Sequence, residues 1–311
     1  MAIAKGKQSV EAFEIKRYIG VAPVSVLAFN PSAKELEKLT GRVLQEEPEY
    51  VTTVTTPEGN EVKNARITLY VKSSGKYNQQ SVPETVLTIT LFVRQQQRFN
   101  ADKTKVQVID KYGRTSWVTK EELASHAIPK DRNGNELRLD KDYRPCFVGE
   151  EEVSNLIRAF LYLEDTDVYN QSTGKFEQNP DLVSEARLDS WDKVFKGDFS
   201  ELKEVFTSMP TNKFIAMFGI RTNPENGKQY QTAYTEGFLK SSATVKGVES
   251  KLLKRFNDRK LNGAYKTTEF TNEPLHAYEV QPTTFTETVS ETPSVADDMP
   301  FPTTSTDELP W

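Results

Sequence analysis

The chain has 311 residues, 36% apolar and 27% charged, with a formal net charge of −5. No run approaches the roughly 18 apolar residues of a membrane-spanning helix, and the first ten residues lack the apolar core and cleavage site of a signal peptide, so the expected location is a cytoplasm. Cys146 is the single cysteine, and His126 and His276 are the two histidines, which rules out an internal disulfide and a Cys/His zinc site.

In chain order, residues 1–16 read as a mobile, slightly basic arm carrying Lys5 and Lys7. Residues 17–270 read as the folded body. Its first part, 17–148, is strand-rich. Residues 17–30 are apolar and β-branched. Asn30-Pro31 then opens a short helix, with Asn30 as N-cap and Gly41 as the stop. Thr56-Pro57-Glu58-Gly59-Asn60 predicts a hairpin turn, and Asp110-Lys111-Tyr112-Gly113 another. Cys146 sits in Pro145-Cys146-Phe147-Val148 and is expected to be a buried structural thiol.

Residues 149–210 read as a helical insertion. Val153, Leu156, Ile157, Phe160 and Leu161 have the spacing of one buried helix face, and further helices are expected over 182–195 and 199–206. Residues 211–270 read as strands followed by a basic helix. The segment 213–221 reads as a strand, apolar on both faces over Phe214–Ile220, which predicts a central strand, with a turn at 223–227 into a second strand. The helix, 245–261, carries Lys246, Lys251, Lys254, Arg255, Arg259 and Lys260. From 271 to 311 the composition turns to Thr, Pro, Ser and Glu, which predicts a disordered tail.

Charge divides the chain the same way. Residues 273–311 hold eight acids and no Lys or Arg, so residues 1–272 hold the remaining 37 acids against 40 bases. A mildly basic body with a wholly acidic tail reads as an interaction tail or as a solubilising extension.

The tail holds one repeated pattern. Asp297-Asp298-Met299-Pro300-Phe301 and Asp307-Glu308-Leu309-Pro310-Trp311 both run acid, acid, long apolar, proline, large aromatic. At this composition the acid-acid-x-Pro-aromatic pattern is expected at roughly one position in ten thousand, so a pair of them is not accidental. The chemistry suits a docking peptide. The carboxylates pair with basic groups on a partner, the proline lowers the entropy lost on binding, and the aromatic anchors in an apolar pocket.

This tail resembles that of bacterial single-stranded DNA-binding proteins and their phage analogues, which end in an acidic peptide with a terminal aromatic, often Asp-Asp-x-Pro-Phe. The body resembles the single-stranded DNA-binding proteins of crAss-like Bacteroidales phages through Tyr18-Ile19-Gly20-Val21-Ala22-Pro23-Val24, the stretch Val106-Gln107-Val108-Ile109-Asp110-Lys111-Tyr112-Gly113-Arg114, and Tyr143-Arg144-Pro145. The resemblance implies sequence-independent binding of single-stranded DNA in phage replication, recombination and repair, inside the host bacterium. It further implies that Asp297, Asp298, Pro300, Phe301, Asp307, Glu308, Leu309, Pro310 and Trp311 recruit replication and repair proteins. The body is far longer than one bacterial binding domain, so a tetramer is not carried over.

Single-strand binders need a basic track for phosphates and aromatic faces for bases. In 66–72, Ile67, Leu69 and Val71 point one way and Arg66, Thr68, Tyr70 and Lys72 the other. In 87–94, Thr88, Thr90, Phe92 and Arg94 share the polar face. If these strands pair, one face carries Arg66, Tyr70, Lys72, Phe92 and Arg94; alternatively Tyr70 and Phe92 pack beneath another element. The flanking loops add Lys76, Tyr77, Arg98, Phe99, Lys103 and Lys105 as a candidate clamp. The hairpin with Lys111, Tyr112, Arg114 and Trp117 is a second candidate, with Trp117 either core or stacker.

No phosphate loop, dinucleotide fingerprint, zinc-protease helix or nucleophile elbow occurs. Asp131-Arg132-Asn133-Gly134-Asn135 reads as a turn, not a calcium loop. The chain is therefore read as a non-enzyme without metal or cofactor. The expected fold is α+β, an OB-like antiparallel β-barrel core elaborated with helices. The alternative reading is a phage structural or assembly adaptor that does not bind nucleic acid, with a metal-dependent nuclease a distant third.

Overall fold

The computed structural model describes residues 16–41, 43–131, 133–137, 139–161, 167–178, 186–240 and 268–278. The elements run β1 (Arg17–Phe29), α1 (Ala33–Thr40), β2 (Val51–Thr55), β3 (Glu61–Ser73), β4 (Lys76–Tyr77), β5 (Gln80–Ser81) and β6 (Thr85–Gln97). Then follow β7 (Lys105–Ile109), β8 (Thr115–Thr119), α2 (Lys120–Ser125), β9 (Arg144–Pro145), β10 (Phe147–Val148) and α3 (Glu150–Phe160). The last are β11 (Asp167–Asn170), β12 (Lys175–Gln178), α4 (Trp191–Val194), α5 (Ser200–Thr207), β13 (Lys213–Thr222), β14 (Gln229–Ala233), β15 (Leu239–Lys240), β16 (Thr268–Phe270) and β17 (His276–Tyr278).

Period-2 alternation drives the main sheet. Strands β3 and β6 each bury every second residue: Ala65, Ile67, Leu69 and Val71 on one, Leu87, Ile89, Leu91 and Val93 on the other. That shared apolar face fixes their register, because a one-residue slip would turn it to solvent. Among the described residues the sheet has ten strands, six of them along the path β10-β6-β3-β1-β13-β14 with β2, β15, β16 and β17 paired to its members, and its ladders are antiparallel. As the apolar run Phe214–Ile220 predicts, β13 is a central strand, with β1 on one side and β14 on the other.

The fold is thus antiparallel and α+β, but it is not a closed barrel. β14 comes within 8 Å of β6 between Cα atoms, yet no ladder joins them. Helices α3 and α5 lie against the sheet and join its core through rings. Phe206 of α5 stacks on Phe29 at 5.6 Å, and Phe160 of α3 meets Phe214 edge-on at 6.3 Å.

Local chemistry corrects several expectations. The N-cap of α1 is Ser32, not Asn30, and forms a capping box with Glu35. Asn30 serves the sheet instead: at φ 40° its Oδ1 accepts the Thr68 N–H at 2.7 Å. Within the expected helical insertion, Asp167–Asn170 and Lys175–Gln178 form a β-hairpin, with Gly174 at φ 64° supplying the left-handed turn residue. Of the helix expected over 182–195, the described residues form α4 alone. The Ala186 and Arg187 amides donate to the Lys111 carbonyl, so they are not free for helical bonds.

The acidic tail starts later than composition suggests. Residues 273–275 bond to β1 through Val21 N–H to Glu273 O at 2.8 Å and Leu275 N–H to Val21 O at 2.9 Å. β17 then pairs with the start of β1. Gly20, at φ 118°, makes room for this crossing, since a Cβ there would sit 2.7 Å from the Glu273 oxygen. The arm 1–15, the basic helix 245–261 and residues 279–311 lie outside the described residues.

A smaller three-stranded sheet, β8-β7-β9, stands beside the main one. Its own core joins Val106, Val108, Val118, Leu139 and Tyr143, flanked by Leu123 and Ile128.

Candidate nucleic-acid interface

The register of β3 and β6 sets Arg66 directly opposite Phe92, Thr68 opposite Thr90, Tyr70 opposite Thr88, Asn64 opposite Arg94 and Lys72 opposite Val86. Directly paired residues in an antiparallel ladder project to the same side. Arg66, Tyr70, Lys72, Phe92 and Arg94 therefore share one face, and the core residues of both strands share the other. Tyr70 and Phe92 are half-buried on that face.

Two neighbours widen it. On β1, Ala28 lies opposite Tyr70 and Ser25 opposite Lys72, while Lys213 on β13 lies opposite Ser25. A row Val86, Lys72, Ser25, Lys213 thus crosses four strands. Leu27, in the bulge between Val26 and Ala28, and Val86 are each 43% exposed. Neither Lys213 nor Leu27 stands out in the sequence, because only the strand pairing carries them to this face.

At the other end of the face, Tyr50 packs beneath Arg66. The Arg66 guanidinium lies 5.2 Å from the Tyr50 ring centroid, and its Nη2 donates to the Glu49 carbonyl at 2.8 Å. The Tyr50 hydroxyl donates to the Pro31 carbonyl at 2.6 Å. Burial pushes its phenol up to about 12, against a smaller downward pull from Arg66. Arg66 Nε and Asn64 Oδ1 are buried with no hydrogen-bond partner among the described residues. Nothing in the sequence before Val51 signals this role for Tyr50.

Most of the other expected contacts fall on or beside the small sheet, where acids meet Arg98, Arg114 and Lys111. Arg98 donates to Gln107 Oε1 at 3.2 Å, pairs with Glu151 at 3.4 Å, and lies 6.0 Å from the Trp117 ring. Arg114 Nε meets Asp110 Oδ2 at 2.6 Å. Asp110 is fully buried and also accepts the Tyr112, Arg114 and Asp140 amides. Lys111 pairs with Asp140 at 3.5 Å and, like Arg114, lies about 5 Å from the Tyr112 ring. Gly113, at φ 74°, lets the hairpin tip wedge against α3, where a Cβ would collide with Ser154 Oγ. Phe99, 40% exposed, and Lys105 remain at the surface. Tyr77, expected in a clamp, is core instead and donates its hydroxyl to Asn272 at 2.7 Å.

Below the small sheet, buried Glu150 accepts from Arg144 Nη1 and Nη2, Trp191 Nε1 and the Phe147 amide. Cys146 beside it is fully buried, and burial together with Glu150 and Glu151 pushes its thiol far up. Asp131 accepts the Asn133 and Asn135 amides, the geometry of an Asx turn. Among the described residues no cluster of His, Cys, Asp and Glu is placed to hold a metal ion. The paired tail motifs lie outside the described residues. No protein-family model, curated protein or solved structure matches this chain.

Proposed function

We propose that this protein binds single-stranded DNA without sequence preference and recruits replication and repair proteins through its acidic tail. The observation that carries the reading is the β3/β6 face, where the Arg66–Phe92 pair and Tyr70 lie between Arg94 and Lys72. Aromatic faces stack on any base, and the surrounding cations meet phosphates, so affinity follows without base readout. An antiparallel sheet with exposed loops is the platform that OB-like folds use for oligonucleotides. We read β1, β3, β6, β13 and β14 as such a core, left open between β6 and β14. The charge split along the chain supports the second half of the reading, because an acidic segment with docking motifs follows a basic body in sequence.

Quenching of intrinsic fluorescence by poly(dT), followed at low and high salt, tests the reading. Quenching that fades with salt is expected, through counterion release. Its absence at low salt would favour a structural or assembly adaptor, and shortened DNA with added Mg²⁺ would indicate a nuclease. The fold also sets where the tail is to be removed. Deletion should begin at residue 279, because 273–278 belong to the sheet.

A further inference from the structure

At one end of the β3/β6 face, and in the loop that follows β6 beside the β2–β3 turn at its other end, an exposed lysine is already held by a glutamate. At one end Lys72 Nζ lies 2.8 Å from Glu84, with side chains 44% and 66% exposed. At the other, Lys103 Nζ lies 3.1 Å from Glu58, with 67% and 43% exposed. Neither meeting depends only on long side chains finding each other. Glu84 sits in a turn fixed by buried Ser73, whose hydroxyl donates to the Pro83 carbonyl at 2.6 Å and accepts the Thr85 amide at 3.2 Å. Glu58 sits in the β2–β3 turn, closed by Gly59 N–H to Thr56 O at 2.8 Å. Opposite it, Lys103 is held at φ 58° in a loop stapled by Asn100, which accepts the Lys105 amide and donates to Thr104. A left-handed non-glycine residue is kept only where its surroundings hold it.

We infer that Glu58 and Glu84 are resident anions, occupying the lysines that phosphates of a bound strand would take and thereby setting the affinity and salt response of this face. This rests on the proposed single-strand binding. A carboxylate offers a lysine what a phosphate oxygen offers, and an exposed pair is weak enough to exchange. Each carboxyl is held below its ordinary value by its lysine, and Lys213 adds a smaller pull on Glu84. Both glutamates thus stay charged at neutral pH. The buried Arg114–Asp110 pair beside the small sheet differs, because Asp110 has no access to solvent and cannot yield Arg114. When a strand binds, each displaced glutamate takes up a cation from solution. That uptake offsets part of the counterion release and flattens the salt dependence.

The test uses the full chain with Glu58→Gln, Glu84→Gln and the double substitution, titrated with poly(dT) over a range of salt. Each single variant should bind about two- to five-fold tighter at low salt, the equilibrium worth of an exposed ion pair. The slope of log affinity against log salt should steepen by up to about 0.7 per glutamate removed. Glu201→Gln on α5, the helix packed against the core, controls for net charge alone. Unchanged or weaker binding in both variants overturns the inference, and so does an equal gain from Glu201→Gln. If neither wild type nor double variant binds, the functional reading falls and takes this inference with it. Binding by wild type with no response to the substitutions removes the inference alone.

Discussion

The β3/β6 face and the small β8-β7-β9 sheet draw on the same residue types, arginine and lysine interleaved with aromatics, and use them in opposite ways. Beside the small sheet Arg98 meets half-buried Glu151 of α3, to which Gln107 and Thr115 also donate, and Arg114 meets buried Asp110 within its own hairpin. On the main face, Lys72 meets a glutamate that solvent reaches freely, and Arg66 stacks on Tyr50. The difference lies in the burial of the acid. A carboxylate out of water must keep its cation, whereas an exposed one exchanges it. A basic-aromatic alternation in sequence therefore marks a charged surface or a charged fastener with equal ease.

Substitutions can break or sharpen that contrast. The largest effect is expected from Arg114→Ala, which strips the buried Asp110 carboxylate of its cation. It should lower unfolding free energy by about 3–5 kcal/mol in denaturant titrations, with poly(dT) affinity of the folded protein unchanged. A selective loss of affinity at full stability would place Arg114 among the phosphate contacts and erase the contrast. Next, Tyr70→Ala and Phe92→Ala should each weaken binding by about 1–3 kcal/mol per stacked base, with the melting temperature little moved. A falling melting temperature at constant affinity would make both residues packing groups.

A smaller effect concerns pH. The folded Tyr50 phenol titrates near 12, above its ordinary value of 10. The folded state therefore holds this proton more tightly than the unfolded chain, and the stability it contributes, complete below pH 10, is lost as pH rises towards 12. Tyr50→Phe should flatten the alkaline limb of a stability–pH curve. An identical limb in both proteins would mean that Tyr50 is not the titrating group. The smallest effect is expected at Lys105, exposed on the small sheet. If this lobe touches the strand through its surface residues, Lys105→Ala should reduce the salt slope by about 0.7. An unaltered slope would confine binding to the main face.

Much of the architecture was legible because its signals are local. The alternation in 66–72 and 87–94 placed Arg66, Tyr70, Lys72, Phe92 and Arg94 on one face, and the structure sets them there. The turns at 56–60 and 110–113 follow from their Pro, Gly and Asx residues, and the apolar run Phe214–Ile220 gave the central strand. Composition over-extended the tail to 271, because Leu275 and its neighbours join the sheet by backbone bonds that any sequence can make.

By itself, then, the sequence determined which residues alternate, where the chain turns, and that an acidic segment with paired aromatic motifs follows a basic body. Only the tertiary structure decided which acid each base meets, that Tyr50 and Lys213 join the face, and that the sheet does not close between β6 and β14. The reason is distance along the chain. Glu151 lies 53 residues from Arg98 and Asn272 lies 195 from Tyr77. Period and propensity act within a few residues, whereas pairing across such separations is set by the packing of the whole core.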